Sequence, residues 1–359
     1  MQIEEILQEF QEGWKQKGDA FISSFLKKYQ EHSEFEDIMK GVICAISEEK
    51  GMDPQKTLHW ILKRAEETML KRVQKKMNAV REHMQKQEWN QALSVLDTLL
   101  NQAETVGLKK ENGFYSFPTC LDEALYDIWG KKEEETVEVT LYPMDELYNT
   151  KAFLFLNQQK FEEAQEAWKK ALQWNPVHFH ALNGWMITCL QSGDMETYRT
   201  LLRKMHQIIT SRTEQAIYCE KLALDFLSQD QIREAVVCFN AGIAWNPEYQ
   251  GNRIGLQNLE KDGIRPFSEE EMNETLIACQ HVLQPCQETI DQLKKAAETC
   301  LYEKKKEAAL EIYTNLYQWI QDEDCKNQIE KLTRTKKKTS GKKAVKKQKK
   351  LHQKQHNNK

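Results

Sequence analysis

Two stretches of the chain hold residue types that bind metals. His178-Phe179-His180 sets two imidazoles around one aromatic residue, just after Pro176. Cys279-x-His281-x4-Cys286 offers three soft ligands. A structural zinc site needs four such ligands converging on a tetrahedron. Residues two apart on a helix face different ways, so the His pair would need ligands from elsewhere. Pro285 interrupts the second stretch, and no fourth ligand accompanies it. Linker or groove positions for the histidines and packed thiols for the cysteines are expected, with no metal and no cofactor.

Signatures of catalysis are also missing from the sequence. Ser340-Gly341-Lys342-Lys343 lacks the preceding glycine of a phosphate-cradling loop. There is no dinucleotide fingerprint, no GxSxG elbow and no HExxH pair. The chain is not expected to be an enzyme or to take a small-molecule substrate.

The nine cysteines are odd in number and form no CxxC pair. Free thiols packed as small hydrophobes in a reducing compartment are expected. Met1-Gln2-Ile3-Glu4-Glu5 is acidic and amphipathic rather than signal-like, and no run of 18 apolar residues exists. The expected location is the cytoplasm, with no membrane partner.

Charge divides the chain unevenly. From Lys331 onward there are 13 Lys or Arg and no Asp or Glu, which leaves 38 basic against 55 acidic residues before it. Lys336, Lys337, Lys338, Lys342, Lys343, Lys346, Lys347, Lys349 and Lys350 crowd this tail. With almost no apolar content it cannot offset its ordering entropy, so disorder is expected. Such a segment suits phosphate backbones without sequence preference.

The elements that must carry these residues read as helices. Only 14 Gly and 7 Pro occur in 359 residues. Ile3, Ile6, Leu7, Phe10 and Trp14 recur at helical spacing, as do Leu58, Ile61, Leu62 and Ala65. Gly51-Met52-Asp53-Pro54 reads as a turn with Asp53 capping a helix that Pro54 opens.

An internal repeat then emerges. Phe161-x-x-Ala164-x-x-x-Trp168-x-x-Ala171 ends at Asn175-Pro176, and Ile232-x-x-Ala235-x-x-x-Phe239-x-x-Gly242 ends at Asn246-Pro247. Trp89-x-x-Ala92-x-x-x-Leu96-x-x-Leu99 matches without the Pro. A weaker unit fits between the first two, and another at 290–323 through Ala297, Ala309 and Tyr313. These segments resemble tetratricopeptide (TPR) units, 34-residue helix–turn–helix repeats. In that family a small residue of helix A meets a small residue of helix B. Those places hold Ala152 and Ala164, then Ala223 and Ala235. Small side chains let two helices cross closely, and stacking supplies the core that one hairpin lacks. From Phe114 to Pro176 the order of features resembles a group of uncharacterised bacterial TPR proteins, which implies no activity.

The expected architecture is all-α. It is a TPR-like α-solenoid of stacked helix-turn-helix repeats with an N-terminal helical region and a disordered basic C-terminal tail. The boundaries are an N-terminal helical region at 1–70, a degenerate hairpin at 71–106, an irregular insert at 107–144, the array at 145–323 and the tail at 324–359. Within the insert, Thr136 to Pro143 alternates like an extended segment.

The resemblance implies a concave groove lined by helix A. By that analogy its residues are Asn149, Phe153 and Asn157, then His180, Asn183 and Ile187, then Glu220, Lys221 and Leu224. The Lys and Asn set with which one TPR subclass grips a chaperone's C-terminal carboxylate is missing. Two functions compete: a scaffold or adaptor holding a peptide or protein segment, and a nucleic-acid- or ribosome-associated protein tethered by its tail.

Overall fold

The computed structural model describes residues 3–29, 34–105, 114–131, 137–140, 142–264 and 267–333. They fall into two compact units, Met1–Lys109 with Thr140–Tyr142, and Lys110–Val139 with Pro143–Lys359. The Lys run at 336–350 lies outside the described residues. So do the side chains of Leu58, Ile61, Leu62 and Ala65.

The first unit opens with α1 (Ile3–Lys17), α2 (Ala20–Tyr29) and α3 (Phe35–Lys50). Ile6, Phe10 and Trp14 share one helical face and bury in a cluster with Ile22, Phe25, Ile38, Val42 and Ile46. Gly18 takes φ 62° between α1 and α2, where Trp14 Nε1 donates to Asp19 Oδ1 at 3.0 Å. Gly51 ends α3 at φ 61°. Asp53 then accepts the Lys56 N–H at 3.4 Å, and Pro54 starts α4 (Pro54–Gln85).

That helix corrects one expected boundary. It runs 32 residues, so the division at 70/71 falls inside it. No Gly or Pro follows Pro54 before the helix ends, and nothing else stops it. Its C-terminal half pairs with α5 (Trp89–Thr105), whose Ala92 and Leu96 are fully buried.

The second unit begins with β1 (Phe114–Ser116) and α6 (Cys120–Trp129), and β2 (Glu138–Thr140) pairs with β1. The insert is therefore not irregular throughout. Thr119 and Asp122 close a reciprocal capping box that starts α6, and Leu121, Leu125 and Tyr126 bury its apolar face.

The array follows as α7 (Met144–Asn157), α8 (Phe161–Trp174), α9 (Phe179–Ser192), α10 (Met195–Gln207), α11 (Arg212–Leu227) and α12 (Ile232–Trp245). After these come α13 (Gln250–Lys261), α14 (Glu269–Leu283), α15 (Gln287–Tyr302) and α16 (Lys306–Ile320). The matched places behave alike. Ala152, Ala223 and Ala297 on the first helix of a pair are fully buried, as are Ala164, Ala235 and Ala309 on the second. The large residue four positions further on is buried too: Trp168, Phe239 and Tyr313. The array is TPR-like.

Stacking between units has its own signature. A Cβ placed on Gly184 would lie 2.2 Å from the Trp168 ring, and one on Gly255 would lie 2.3 Å from the Phe239 ring. Each ring thus lies flush on the backbone of the next A helix, at a spacing of 16 residues in both cases. In α10 the small residue is replaced by Tyr198, whose hydroxyl donates to Lys221 O at 2.7 Å.

The end of the array departs from expectation. On α13 the place equivalent to Ala152 and Ala223 is Gln257, and it is exposed. That helix caps the stack with a polar face. The chain then turns back, and α14 packs on α12. The pair α15–α16 packs against α6 and α11 instead of extending the row. Trp129 Nε1 donates to Thr289 Oγ1 at 3.1 Å, and that hydroxyl donates to Gln207 O at 2.6 Å. Residues 323–333 are helical, with Cys325 buried, so the body runs past the expected start of the tail at 324. All nine cysteines are free thiols. Burial pushes the Cys219 thiol up to about 12, far from a reactive thiolate.

The turns inside the pairs repeat as well. Gln87, Gln159, Asp230 and Lys304 adopt φ of 58°, 59°, 58° and 64°, and Gly193 adopts 74°. In each case the next residue's N–H reaches a carbonyl five residues back, as from Lys160 to Phe155 at 3.0 Å and from Gln231 to Phe226 at 3.0 Å. This is the Schellman closure of a helix, which favours glycine. A side chain there costs about 1–2 kcal/mol, and glycine's extra unfolded entropy offsets only about half of that. Gln159→Gly should therefore stabilise the protein by about 0.5–1 kcal/mol. Gln158→Gly, at φ −91°, should not. Urea unfolding of the two variants checks this, and equal midpoints would contradict it.

Candidate partner groove

The groove residues expected on the A helices do not form one continuous row. α7 and α9 are neighbours, whereas α11 packs on α10, α12 and α13 and not closely on α9. Glu220, Lys221 and Leu224 therefore stand apart from the other six. Lys221 is buried, with Nζ 3.0 Å from Glu220 Oε2. Tyr249 donates its hydroxyl to the same oxygen at 2.6 Å. Both charges are committed to each other and to the α12–α13 turn, so Lys221 is a structural residue and not a free contact.

Between α7 and α9 the geometry is coherent. Trp168 of α8 lies fully buried beneath both helices, its ring against Gly184 of α9. Its Nε1 donates to Asn149 Oδ1 of α7 at 3.2 Å. Asn149 is buried, so it fixes the floor and is not free to meet a partner. Phe153 stands edge-on to the Trp168 ring, with centroids 5.7 Å apart and planes at 90°. Phe153 and its equivalent on α9, Ile187, are both half-buried. Asn157 is exposed and spends its Nδ2 on Phe153 O at 2.8 Å. His180 is exposed at the start of α9, and Asn183 is half-buried one turn on. Asn183 Oδ1 is shielded from solvent and accepts no hydrogen bond.

One end of this seam is a polar knot that the repeat pattern did not reveal. Asp145 is fully buried; it accepts from Ser116 Oγ at 2.8 Å and from Asn175 Nδ2 at 3.0 Å. His178 Nε2 lies 3.9 Å from both Asp145 Oδ2 and Glu146 Oε2. Its Nδ1 accepts the Ala181 N–H at 3.2 Å and so caps α9. Asn175 also reaches Asp122 Oδ1 at 3.4 Å, tying the insert helix to the α8–α9 turn. The Thr119-x-x-Asp122 spacing was the available sequence signal.

Ser116, His178 and Asp145 have the composition of an acyl-transfer triad but not its connectivity. The hydroxyl donates its hydrogen bond to the carboxylate, and one imidazole nitrogen caps a helix. Among the described residues no group of three or more His, Cys, Asp or Glu is placed to hold a metal ion. Cys279 is buried and His281 exposed, while Cys286 is half-buried at the start of α15. No helix among the described residues is long and apolar enough to cross a membrane.

No family profile matches the chain, and no curated protein does. Among solved structures, the crystal structure of the P58(IPK) TPR domain is similar at 17% identity, covering 89% of this chain and 78% of that one, with a TM-score of 0.26. So loose an overlay carries no weight, and the TPR-like fold rests on the helix pairs themselves.

Burial pushes the His178 pKa down, but Glu146, Asp145 and Asp122 outweigh it and hold the ring above the usual imidazole value. Burial and the neighbouring His178 charge push His180 the other way. His178 then contributes stability in full below the unfolded imidazole value of about 6.5 and loses it as pH rises through its raised folded value. NMR titration should show His178 ionising well above His180, with Glu146→Gln lowering the His178 midpoint. Coincident midpoints would contradict the assignment.

Proposed function

We propose that the chain is a protein-interaction scaffold that holds a peptide or protein segment along the α7–α9 seam. The supporting observation is an asymmetry across each helix. On α7 and α9 the inward places, Ala152 and Met186, are fully buried. The neighbouring places, Phe153 and Ile187, keep apolar surface in reach of solvent at equivalent positions. Leu156, half-buried one turn beyond Phe153, lengthens that stripe. An apolar strip on a rigid helical floor suits side chains of an extended or helical segment. Trp168 makes the floor rigid, because truncating so large a buried ring costs about 3–5 kcal/mol.

The double variant Phe153→Glu, Ile187→Glu tests this. Both positions face partly outward, so the fold should survive, as circular dichroism and melting would show. Binding of a partner captured by the wild-type chain should weaken by about 2 kcal/mol or more, roughly thirtyfold. An unchanged set of captured proteins would overturn the proposal.

A further inference from the structure

The seam's chemistry narrows what it would hold. This inference rests on the scaffold reading and adds the charge of the partner. The seam begins at a partly exposed carboxylate. Glu146 stands at its head with a half-exposed side chain, and hydrogen bonds and charge from His178, with Asn149 and His180, keep it ionised against the cost of burial. His180, exposed at the start of α9, has its pKa lowered by desolvation and by the His178 charge. Four lysines are held over rings of α7 and α9: Lys151 and Lys160 over Phe155 at 5.8 and 5.9 Å, Lys169 over Trp185 at 5.4 Å and Lys170 over Tyr148 at 5.6 Å, none of them over Phe153. The unit that carries the seam is acidic, with 22 basic against 37 acidic residues from Lys110 to Glu330.

We infer that the α7–α9 seam selects a basic peptide segment, one with a Lys or Arg directed at Glu146 and an aliphatic side chain packed against Phe153 and Ile187. Long-range attraction to the acidic unit would speed the encounter, and Glu146 would set the register. A partner tail rich in carboxylates is disfavoured by the same charges.

An array of random immobilised peptides, probed with the full chain, tests this directly. The double variant Phe153→Glu, Ile187→Glu is probed in parallel, so that only peptides lost with it count as seam ligands. This control removes anything held by the Lys-rich segment. Seam ligands should be enriched in Lys and Arg and depleted in Asp and Glu. Glu146→Lys should weaken the best of them by about tenfold or more in solution, with the loss shrinking at high salt. Seam ligands that are acidic or neutral on average would overturn the inference while leaving the scaffold standing. If no peptide depends on the seam, the scaffold reading itself fails and this inference with it.

Discussion

A large ring laid flat on a glycine is the contact from which the rest of the array follows. Trp168 against Gly184, and Phe239 against Gly255, bring the second helix of one pair onto the first helix of the next with no side chain between them. A single helix pair has one face it cannot bury alone, so its stability depends on this neighbour contact. The alanines within each pair serve the same end: Ala152 and Ala164 are both fully buried, and a larger residue at either place would separate the helices that carry the ring. Where both devices lapse the stack changes character. Tyr198 replaces the small residue in α10, and there the A helices α9 and α11 do not pack closely.

This contact also shapes the candidate site. Trp168 lies under the α7–α9 seam, so the residue that stacks the units also floors the groove, and Asn149 is spent on its indole nitrogen. The polar knot around Asp145 and His178 fixes the other end by joining β1, α6, α7 and the α8–α9 turn. Fold and candidate surface therefore share residues, and changes to Trp168 or Asp145 would not separate the two. Phe153, Ile187, Glu146 and Asn183 sit at the edge of that framework.

Much of the fold was legible because its rules are local. A small residue followed by a large one four places on, with Pro after the helix, marked the pairs at 145–176 and 216–247. The glycine signature escaped because it links residues 16 apart across two elements, and a lone glycine in a helix carries no label of its own. The insert helix was missed although Thr119 and Asp122 have capping-box spacing, since the turn-rich residues before it masked the start. The folding back of α15–α16 onto α6 and α11 joins distant segments through Trp129, Thr289 and Gln207, and no periodicity encodes it. For the groove, analogy named nine positions without regard to packing. The structure buries Asn149 and Lys221 and sets the three on α11 apart, because side chains at those places found partners in their own chain.

The most direct test of the central contact is a double-mutant cycle between the ring and the glycine. Gly184→Ala should cost about 1–3 kcal/mol in the wild-type chain, because the added methyl has no room beside Trp168. In a Trp168→Leu background the same change should cost about 0.5 kcal/mol or less, and the pair Phe239 and Gly255 should behave alike. An alanine penalty of the same size in both backgrounds, at both pairs, would contradict the account.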